Sequence, residues 1–357
     1  MKPIKIILFL FLVLISCKIG YAQDIHFSQY TEAPVALNPA SIGVAYDTRA
    51  IANYRNQWGT VGKAYSTFGV TFEQAIKHLK LKGNYFGIAL NIYSDQAGDA
   101  MLASFVPNLG ISYVTRISKF AKLSAGIQAG VLYRTIDVSK LRWDEQFTEN
   151  GYMYNSSAPT GENTPRSGIV SFDFGGGLNF HYAKSERFIS AQDGTKFDVG
   201  FAAYHYNYPR NSFFDDVNNI KERLYTKYII YANVDVGLKA AGIALVPSLL
   251  YMIQGPSTEI TPGLMFKYII EDQATYTNIK NGSAISFGAY YRVKDAIIPT
   301  ILYQKNKIAI GVSYDINISS LTPASKLNGG IEVCLRFNTS PGYGKALGIS
   351  TNRPTYK

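Results

Sequence analysis

A two-residue alternation of side-chain character recurs along this chain of 357 residues. In residues 170–182, Val, Phe, Leu or Tyr occupies nearly every second position, and Ser, Asp, Gly, Asn or His stands between them. The same period recurs in residues 308–317 and 330–337. Because successive side chains of a strand point to opposite faces, each segment predicts a β-strand with one apolar face and one small or polar face.

Two environments produce such strands, a soluble β-sandwich and an outer-membrane β-barrel. The barrel is favoured because the segments run about 10–16 residues, longer than the ~5–6 usual in soluble proteins and close to the membrane-spanning length. Only 17% of the residues are charged, against ~25% in soluble domains. Tyrosines also fall towards the predicted strand ends, as expected for interfacial girdles: Tyr204, Tyr268, Tyr291 and Tyr303.

The predicted fold is therefore all-β, a transmembrane outer-membrane β-barrel of about fourteen antiparallel strands. Two long polar connections, residues 139–167 and 209–223, contrast with short turns elsewhere, which is the asymmetry expected between extracellular loops and periplasmic turns. The strands are predicted near residues 47–57, 64–75, 84–94, 101–117, 121–138, 168–183, 196–208, 224–239, 242–254, 258–270, 283–293, 296–304, 307–317 and 328–337.

The segments outside this barrel have different characters. Residues 1–22 have the layout of a signal peptide, with two lysines ahead of an apolar run at residues 6–15 and small residues before a predicted cleavage after Ala22. The alternative is lipoprotein processing, because Cys17 follows a lipobox-like Leu-Ile-Ser. The barrel is assigned to residues 47–337, and residues 338–357 are predicted to be a polar C-terminal tail.

Residues 23–46 follow neither the strand period nor the helix period. The stretch "QDIHFSQYTEAPVALNPASIG" contains two prolines and many side chains that make directed contacts. Irregular backbone is tolerated at membrane depth only when it is buried in protein or lines water. We therefore predict a plug or docking arm that enters or caps the periplasmic mouth, with plug or partner-binding residues Gln23, Asp24, His26, Phe27, Ser28, Gln29, Asn38 and Pro39.

A second set of residues is expected at the barrel rim. In "NYRNQWG" and "YYRVKDA", aromatic side chains at strand ends suit the lipid interface, and the arginines beside them suit headgroups or a lumenal carboxylate. Neither segment combines a nucleophile with a base. The predicted rim residues are Arg55, Trp58, Tyr291, Arg292, Tyr314 and Asp315.

The chain shows no recognisable catalytic or metal-binding arrangement. A hydrolase triad needs a serine and a carboxylate beside a histidine, but Ser171 and Asp173 lie roughly 27–33 Å from His181 along the predicted strand. The glycines at 175–177 stand in mid-strand without a following helix, which excludes a phosphate loop and predicts relief of curvature or close packing of something inside. We predict no catalytic residue, no cofactor and no metal. The histidines are His26, His78, His181 and His205.

The distribution of charge and the number of cysteines argue against nucleic-acid binding and against an internal disulfide. The formal charge of +10 is spread along the chain, which is not the pattern of a nucleic-acid-binding patch. If Cys17 leaves with the signal peptide, Cys334 has no partner for an internal disulfide.

Several motifs together resemble one known family. The stretch quoted above, "NYRNQW", "FGAYYRVKDA", "GVSYDINISSL" and "GGIEVCLRF" are similar to the PorP/SprF family of type IX secretion system outer-membrane proteins from Bacteroidetes. The resemblance implies localisation in the outer membrane and work with the secretion and gliding machinery. It implies as partners either a periplasmic ring or peptidoglycan-binding component, or the C-terminal domain of a secreted adhesin, besides outer-membrane lipid.

The functional hypothesis is a non-catalytic barrel that supports export or surface anchoring of adhesin-type substrates by binding partner proteins. The alternative is an outer-membrane channel or hydrophobic-solute transporter with an N-terminal plug. The two hypotheses differ in whether the purified protein conducts or takes up solutes.

Overall fold

The computed structural model describes residues 24–60, 62–77, 83–147, 153–162, 165–184, 194–214, 222–238, 242–271, 282–320 and 322–339. The predicted signal peptide, Gln23, His78 and residues 340–357 lie outside these ranges.

Fourteen strands form one closed antiparallel barrel, in which sequence neighbours pair and the first strand pairs with the last. The predicted fold class and strand number are confirmed. The strands are β1 (Thr48–Gln57), β2 (Tyr65–Lys77), β3 (Tyr85–Ala97), β4 (Leu102–Arg116), β5 (Ala121–Thr135), β6 (Gly168–Lys184), β7 (Thr195–Tyr204), β8 (Lys227–Leu238), β9 (Ile243–Gln254), β10 (Ser257–Glu271), β11 (Ser283–Arg292), β12 (Ala296–Lys305), β13 (Ile308–Asn317) and β14 (Asn328–Thr339).

Two strand ends differ from the prediction for visible reasons. β7 ends at Tyr204 rather than near residue 208, because His205 and Tyr208 adopt positive φ angles of 58° and 50° that leave the extended region. β14 continues to Thr339, which pairs with Thr48 in the ladder that closes the barrel.

The apolar positions of the alternation face outward, and the polar positions face the lumen. Leu109, Ile127 and Phe172 are 66–67% exposed on the outer face, where an outer-membrane barrel contacts lipid. Tyr268, Tyr291 and Tyr303 are exposed there too. Tyr204, which was expected in the same girdle, is instead buried on the lumenal side of β7 opposite Gly175.

The two ends of the barrel are unlike. The connections 136–167 and 205–226 lie at the same end, called the loop end. At the other end, called the turn end, β1 begins, β14 ends, and residues 306–307 alone join β12 to β13. Because outer-membrane barrels carry long loops outside the cell and short turns in the periplasm, we assign the loop end to the cell surface.

Residues 24–47, called the arm, lie within the barrel and run from the loop end to the turn end. At the loop end the backbone N–H of Asp24 donates to Gln254, the last residue of β9, over 3.2 Å. At the turn end the carbonyl of Val44 accepts a hydrogen bond of 2.6 Å from Lys122, near the start of β5. The arm therefore extends along the whole lumen, beyond the periplasmic mouth where it was predicted.

The arm is irregular except for three short helical segments. One-turn helix α1 (Pro34–Leu37) stands between 3-10 turns at Tyr30–Glu32 and Pro39–Ser41. Proline begins α1 and the second 3-10 turn, where the missing N–H has no helical partner to lose. Across the described ranges, no helix has the length and apolar character needed to cross a membrane.

Candidate functional site

The first anchor of the arm is an ionic cluster at the loop end. Nε2 of His205 lies 2.5 Å from Oδ2 of Asp24, and its Nδ1 lies 2.8 Å from Oδ1 of Asp173 on β6. Nζ of Lys227 is 3.6 Å from the same Asp24 oxygen. The cluster thus joins the first described residue of the arm to β6, β8 and the start of the 205–226 connection.

The protonation of this cluster follows from its neighbours. Burial disfavours the charged imidazole, but the carboxylates of Asp24 and Asp173 outweigh it and raise the pKa of His205 to about 9. Burial likewise disfavours the Asp24 carboxylate, yet His205 and Lys227 together hold the pKa of Asp24 well below its usual range. The arm is therefore held here by an imidazolium between two carboxylates at neutral pH.

The second anchor is a buried charge cluster on β1, β11 and β13. Asp315 accepts hydrogen bonds from Arg55 (2.8 Å), from Arg292 (3.3 Å) and from the Ser28 hydroxyl of the arm (2.9 Å). Arg292 also donates to the Ser28 oxygen over 2.7 Å, and Arg55 donates to the carbonyl of His26 over 2.8 Å. Because these charges are 2–5% exposed, their hydrogen bonds are strong and specific in direction.

The third anchor is Glu332 of β14, which binds the arm backbone directly. Its two carboxylate oxygens accept the consecutive N–H groups of Ser28 (2.7 Å) and Gln29 (2.9 Å). The Gln29 amide in turn donates to the Glu332 carbonyl over 3.2 Å. Glu332 is 1% exposed, so it fixes the position of the arm without contact with bulk solvent.

Further along, a second glutamate–arginine contact joins the arm to β14. Glu32 of the arm receives two hydrogen bonds from Nη1 of Arg336, at 2.7 and 2.6 Å. Sγ of Cys334 lies 3.8 Å from Oε2 of Glu32. The neighbouring Tyr30 hydroxyl donates to the carbonyl of Thr261 over 3.1 Å. A backbone carbonyl of β10 and side chains of β14 thus hold the first 3-10 turn.

The middle of the arm packs directly on glycines of the barrel wall. Asn38 donates to the carbonyl of Leu178 over 2.8 Å. A Cβ added at Gly177 would overlap the Asn38 amide, and one added at Gly126 would overlap the backbone of Pro39. Glycine is therefore required where the arm approaches the wall, in agreement with the close-packing alternative for residues 175–177.

The sequence comparison decides what this plugged barrel is. The family model described as type IX secretion system membrane protein PorP/SprF matches residues 19–337. The chain belongs to the PorP/SprF family. The predicted resemblance is thus confirmed, as is localisation of this PorP/SprF protein in the outer membrane.

Comparison with solved structures finds only distant similarities. BamA of Haemophilus ducreyi without its first three POTRA domains is 7% identical, with 82% of this chain and 70% of that chain covered and a TM-score of 0.42. A FadL homologue of Pseudomonas aeruginosa is 10% identical, with 84% and 92% covered and a TM-score of 0.42. No curated protein matches the sequence.

The structure divides the six predicted rim residues of this PorP/SprF protein into two sets. Arg55, Arg292 and Asp315 face the lumen and bind the arm, as described above. Tyr291 and Tyr314 are exposed on the outer face, and Trp58 forms an edge-to-face ring contact with Tyr65 at 5.2 Å between centroids.

The predicted arm residues also differ in their contacts. His26 lies 3.7 Å from the carboxylate of Glu259, and the ring of Phe27 lies 5.9 Å from that of Tyr93. Pro39 packs against Gly126. Asp24, Ser28, Gln29 and Asn38 make the hydrogen bonds given above.

Sequence reasoning missed three lumenal charges that bind the arm or its junction with β1. Glu332 and Arg336 were not among the predicted site residues, and neither was Glu73, which pairs with Arg49 at 2.6 Å. The sequence did contain a signal, because Glu332 and Arg336 lie on the polar, lumenal face of a strand whose other face is apolar. Ionised residues at membrane depth are costly unless they face a polar interior and are paired.

The histidines of the barrel contact carboxylates. Nδ1 of His181 lies 2.7 Å from Asp198, and His205 lies between two carboxylates as described. Within the described ranges, no group of three or more His, Cys, Asp or Glu residues is arranged to hold a metal ion.

Proposed function

We propose that this PorP/SprF protein is a non-catalytic outer-membrane component that supports export or surface anchoring of adhesin-type substrates by binding partner proteins. The family match and the barrel place it with secretion-related membrane proteins. The observation that carries the proposal is the arm, which fills the lumen and is held by buried charges. A barrel filled in this way offers its two ends, rather than its interior, to other molecules.

The loop end carries exposed side chains of types that suit a protein partner. In the 136–167 connection, Met153 is 70% exposed and Tyr154 is 38% exposed. The Tyr154 ring packs against Phe147 at 5.4 Å between centroids, and the guanidinium carbon of Arg142 lies 5.2 Å from the centroid of the Tyr154 ring. Tyr, Met and Arg are residue types enriched at protein interfaces.

Tyr154→Ala combined with Met153→Ala tests this surface. We expect less adhesin at the cell surface and less adhesin co-purifying with the barrel, with an unchanged amount of folded barrel. Ser156→Ala, an exposed change in the same connection, is the matched control.

Deletion of the gene tests the function as a whole. Unchanged export and surface anchoring of every type IX substrate in the deletion strain would refute the proposal. If deletion abolishes export but the loop variants do not, the partner surface lies elsewhere.

Native purification separates the two partner classes that the family allows. A secreted adhesin in the purified complex indicates a substrate-specific role at the cell surface. Periplasmic ring or peptidoglycan-binding components indicate a role in the core machinery, with the turn end as the contact surface.

A further inference from the structure

Within the residues that the structure describes, the arm is joined covalently to the barrel at the turn end alone. It continues into β1 at Thr48, at the turn end. At the loop end its first described residue is held by hydrogen bonds and ion pairs to His205, Lys227 and Gln254. The arm can therefore leave the lumen in one direction, towards the turn end, once these non-covalent contacts break.

The arm meets the wall through both polar and apolar contacts. The polar wall groups that bind it are the carboxylates of Asp315 and Glu332, the guanidinium of Arg336, and backbone carbonyls. Its apolar contacts form three small clusters, around Tyr30 and Leu37, around Val35 and Ile42, and around Val44. Withdrawal thus exposes charged and polar wall groups together with apolar patches.

The wall keeps its own charges paired when the arm is removed. Arg55 pairs with Asp315 at 2.8 Å, and Arg292 lies 3.6 Å from Glu259 of β10. These pairs join wall residues to each other and do not involve the arm. Breaking a buried ion pair by removing one partner is costly, and Asp24 and Glu32 are the buried arm carboxylates whose departure leaves wall cations without these partners.

The wall around the arm also carries polar groups of its own. Several buried amide atoms of lumenal side chains have no hydrogen-bond partner among the described protein groups, including Nδ2 of Asn53, Nδ2 of Asn91 and Oε1 of Gln128. Buried groups of this kind bind water in proteins. Withdrawal of the arm would therefore give water polar wall groups to hydrogen-bond.

We propose that the arm is a withdrawable plug and that the barrel is a latent passage for small hydrated solutes, opened when the arm leaves towards the turn end. The vacated space is at least as wide as helix α1 with its side chains, about 10 Å. Asp24 and Glu32 are the latches, because these arm carboxylates pair with wall cations near the beginning of the arm and at its first 3-10 turn. This inference goes beyond the proposed partner-binding function and does not depend on it.

The native Cys334 reports the position of the arm. It lies on the lumenal parity of β14, is fully buried, and is covered by Glu32. In the Asp24→Ala/Glu32→Ala double variant we expect Cys334 to react with a hydrophilic maleimide, and the same protein to conduct ions in planar bilayers. Asp144→Ala/Glu162→Ala removes two exposed loop carboxylates instead, and we expect it to resemble the unmodified protein. Cys334→Ser corrects for any other thiol.

A reversible lock shows that any current passes through the space the arm vacates. Glu32→Cys removes one latch and places a thiol beside Cys334. We expect this variant to conduct under reducing conditions and to lose its current when a short bis-methanethiosulfonate reagent joins the two thiols, with recovery on reduction. Mass spectrometry of the joined peptides verifies the lock.

Three results would overturn the proposal. The first is an unreactive Cys334 in the folded double variant, because the arm then does not withdraw. The second is a reactive Cys334 with a silent bilayer, because the lumen then does not conduct. The third is a current that the lock leaves unchanged. Adhesin export in cells is a separate measurement, so failure of the passage and failure of the partner-binding function are distinguishable.

Discussion

A methyl group at Gly126 tests whether the arm lies against the barrel wall. The Cβ of Gly126→Ala would overlap the backbone of Pro39 and the backbone nitrogen of Ala40. Neither backbone can rotate away as a flexible side chain would, so either the arm moves or the strand does. Overpacking of this kind lowers the free energy of unfolding by about 1–3 kcal/mol. The loss is largest if the arm is displaced from the wall.

Gly176 offers a matched control one strand away. It pairs with Ile127 in the β5–β6 ladder, it faces outward, and an added Cβ would meet its nearest neighbour, the Gly126 carbonyl oxygen, at 3.4 Å. Gly176→Ala therefore adds a methyl group towards lipid, and we expect a change within about 0.5 kcal/mol. Alanine lowers the backbone entropy of the unfolded chain equally in both variants. The difference between their free energies of unfolding therefore isolates the contact with the arm.

Urea unfolding in phospholipid vesicles measures this difference. Trp58 and Trp143 provide a fluorescence signal at the loop end. We expect Gly126→Ala to lower the free energy of unfolding by about 1–3 kcal/mol relative to Gly176→Ala. Equal stability of the two variants would refute close packing of the arm on β5.

Three further perturbations test other contacts. The pKa of His205 is raised to about 9, so its charge stabilises the docked arm fully below the ordinary pKa of histidine, and docking should weaken as pH rises through about 9. His205→Gln should abolish this transition in the labelling of Cys334. Persistence of the transition in the variant would contradict the role given to His205. Asp24 has a lowered pKa, so its contribution should be lost only in acid. Glu332→Gln should lower the free energy of unfolding by about 1–3 kcal/mol, because the amide keeps one acceptor oxygen but turns an NH2 group towards the second arm N–H. An equal loss in the exposed Glu271→Gln would point to a general charge effect. Ile127→Arg on the lipid face should cost about 2–4 kcal/mol, and a neutral result would contradict membrane burial of that face.

The barrel could be predicted because its signal is local. The alternation in β13 is complete within ten residues, and the predicted range 307–317 differs from Ile308–Asn317 by one residue. A period of two assigns each side chain to one face without knowledge of any partner strand. Strand number then follows by counting such segments between turn residues.

The anchors of the arm could not be predicted in the same way. The contact of Ser28 with Glu332 joins residues 304 positions apart and depends on closure of the barrel through the β1–β14 ladder. Irregular backbone has no period from which the facing wall can be deduced. The aromatic and proline content of residues 23–46 indicated a buried segment, but the direction and length of its path required the tertiary structure.

The same limit explains the division of the rim residues. Arg55 and Trp58 are neighbours in sequence near the end of β1, and both residue types are common at membrane interfaces. Parity assigns Arg55 to the lumen, but its pairing with Asp315 depends on how β13 and β14 follow β1 around the barrel. The position of a charge on a strand could be predicted, whereas its partner could not.

A pair of distances across the membrane tests the central claim, that the arm crosses the lumen with its beginning at the loop end. Two doubly spin-labelled proteins are compared, each with Cys334→Ser and a label at Ile25→Cys. The second label is at Lys294→Cys, in the β11–β12 turn at the loop end, in one protein and at Lys307→Cys, at the turn end, in the other. Pulsed electron paramagnetic resonance in lipid should give a shorter distance from Ile25 to Lys294 than to Lys307, with a difference approaching the height of the apolar band, about 25 Å. A shorter distance to Lys307 would place the beginning of the arm at the periplasmic side and contradict the account.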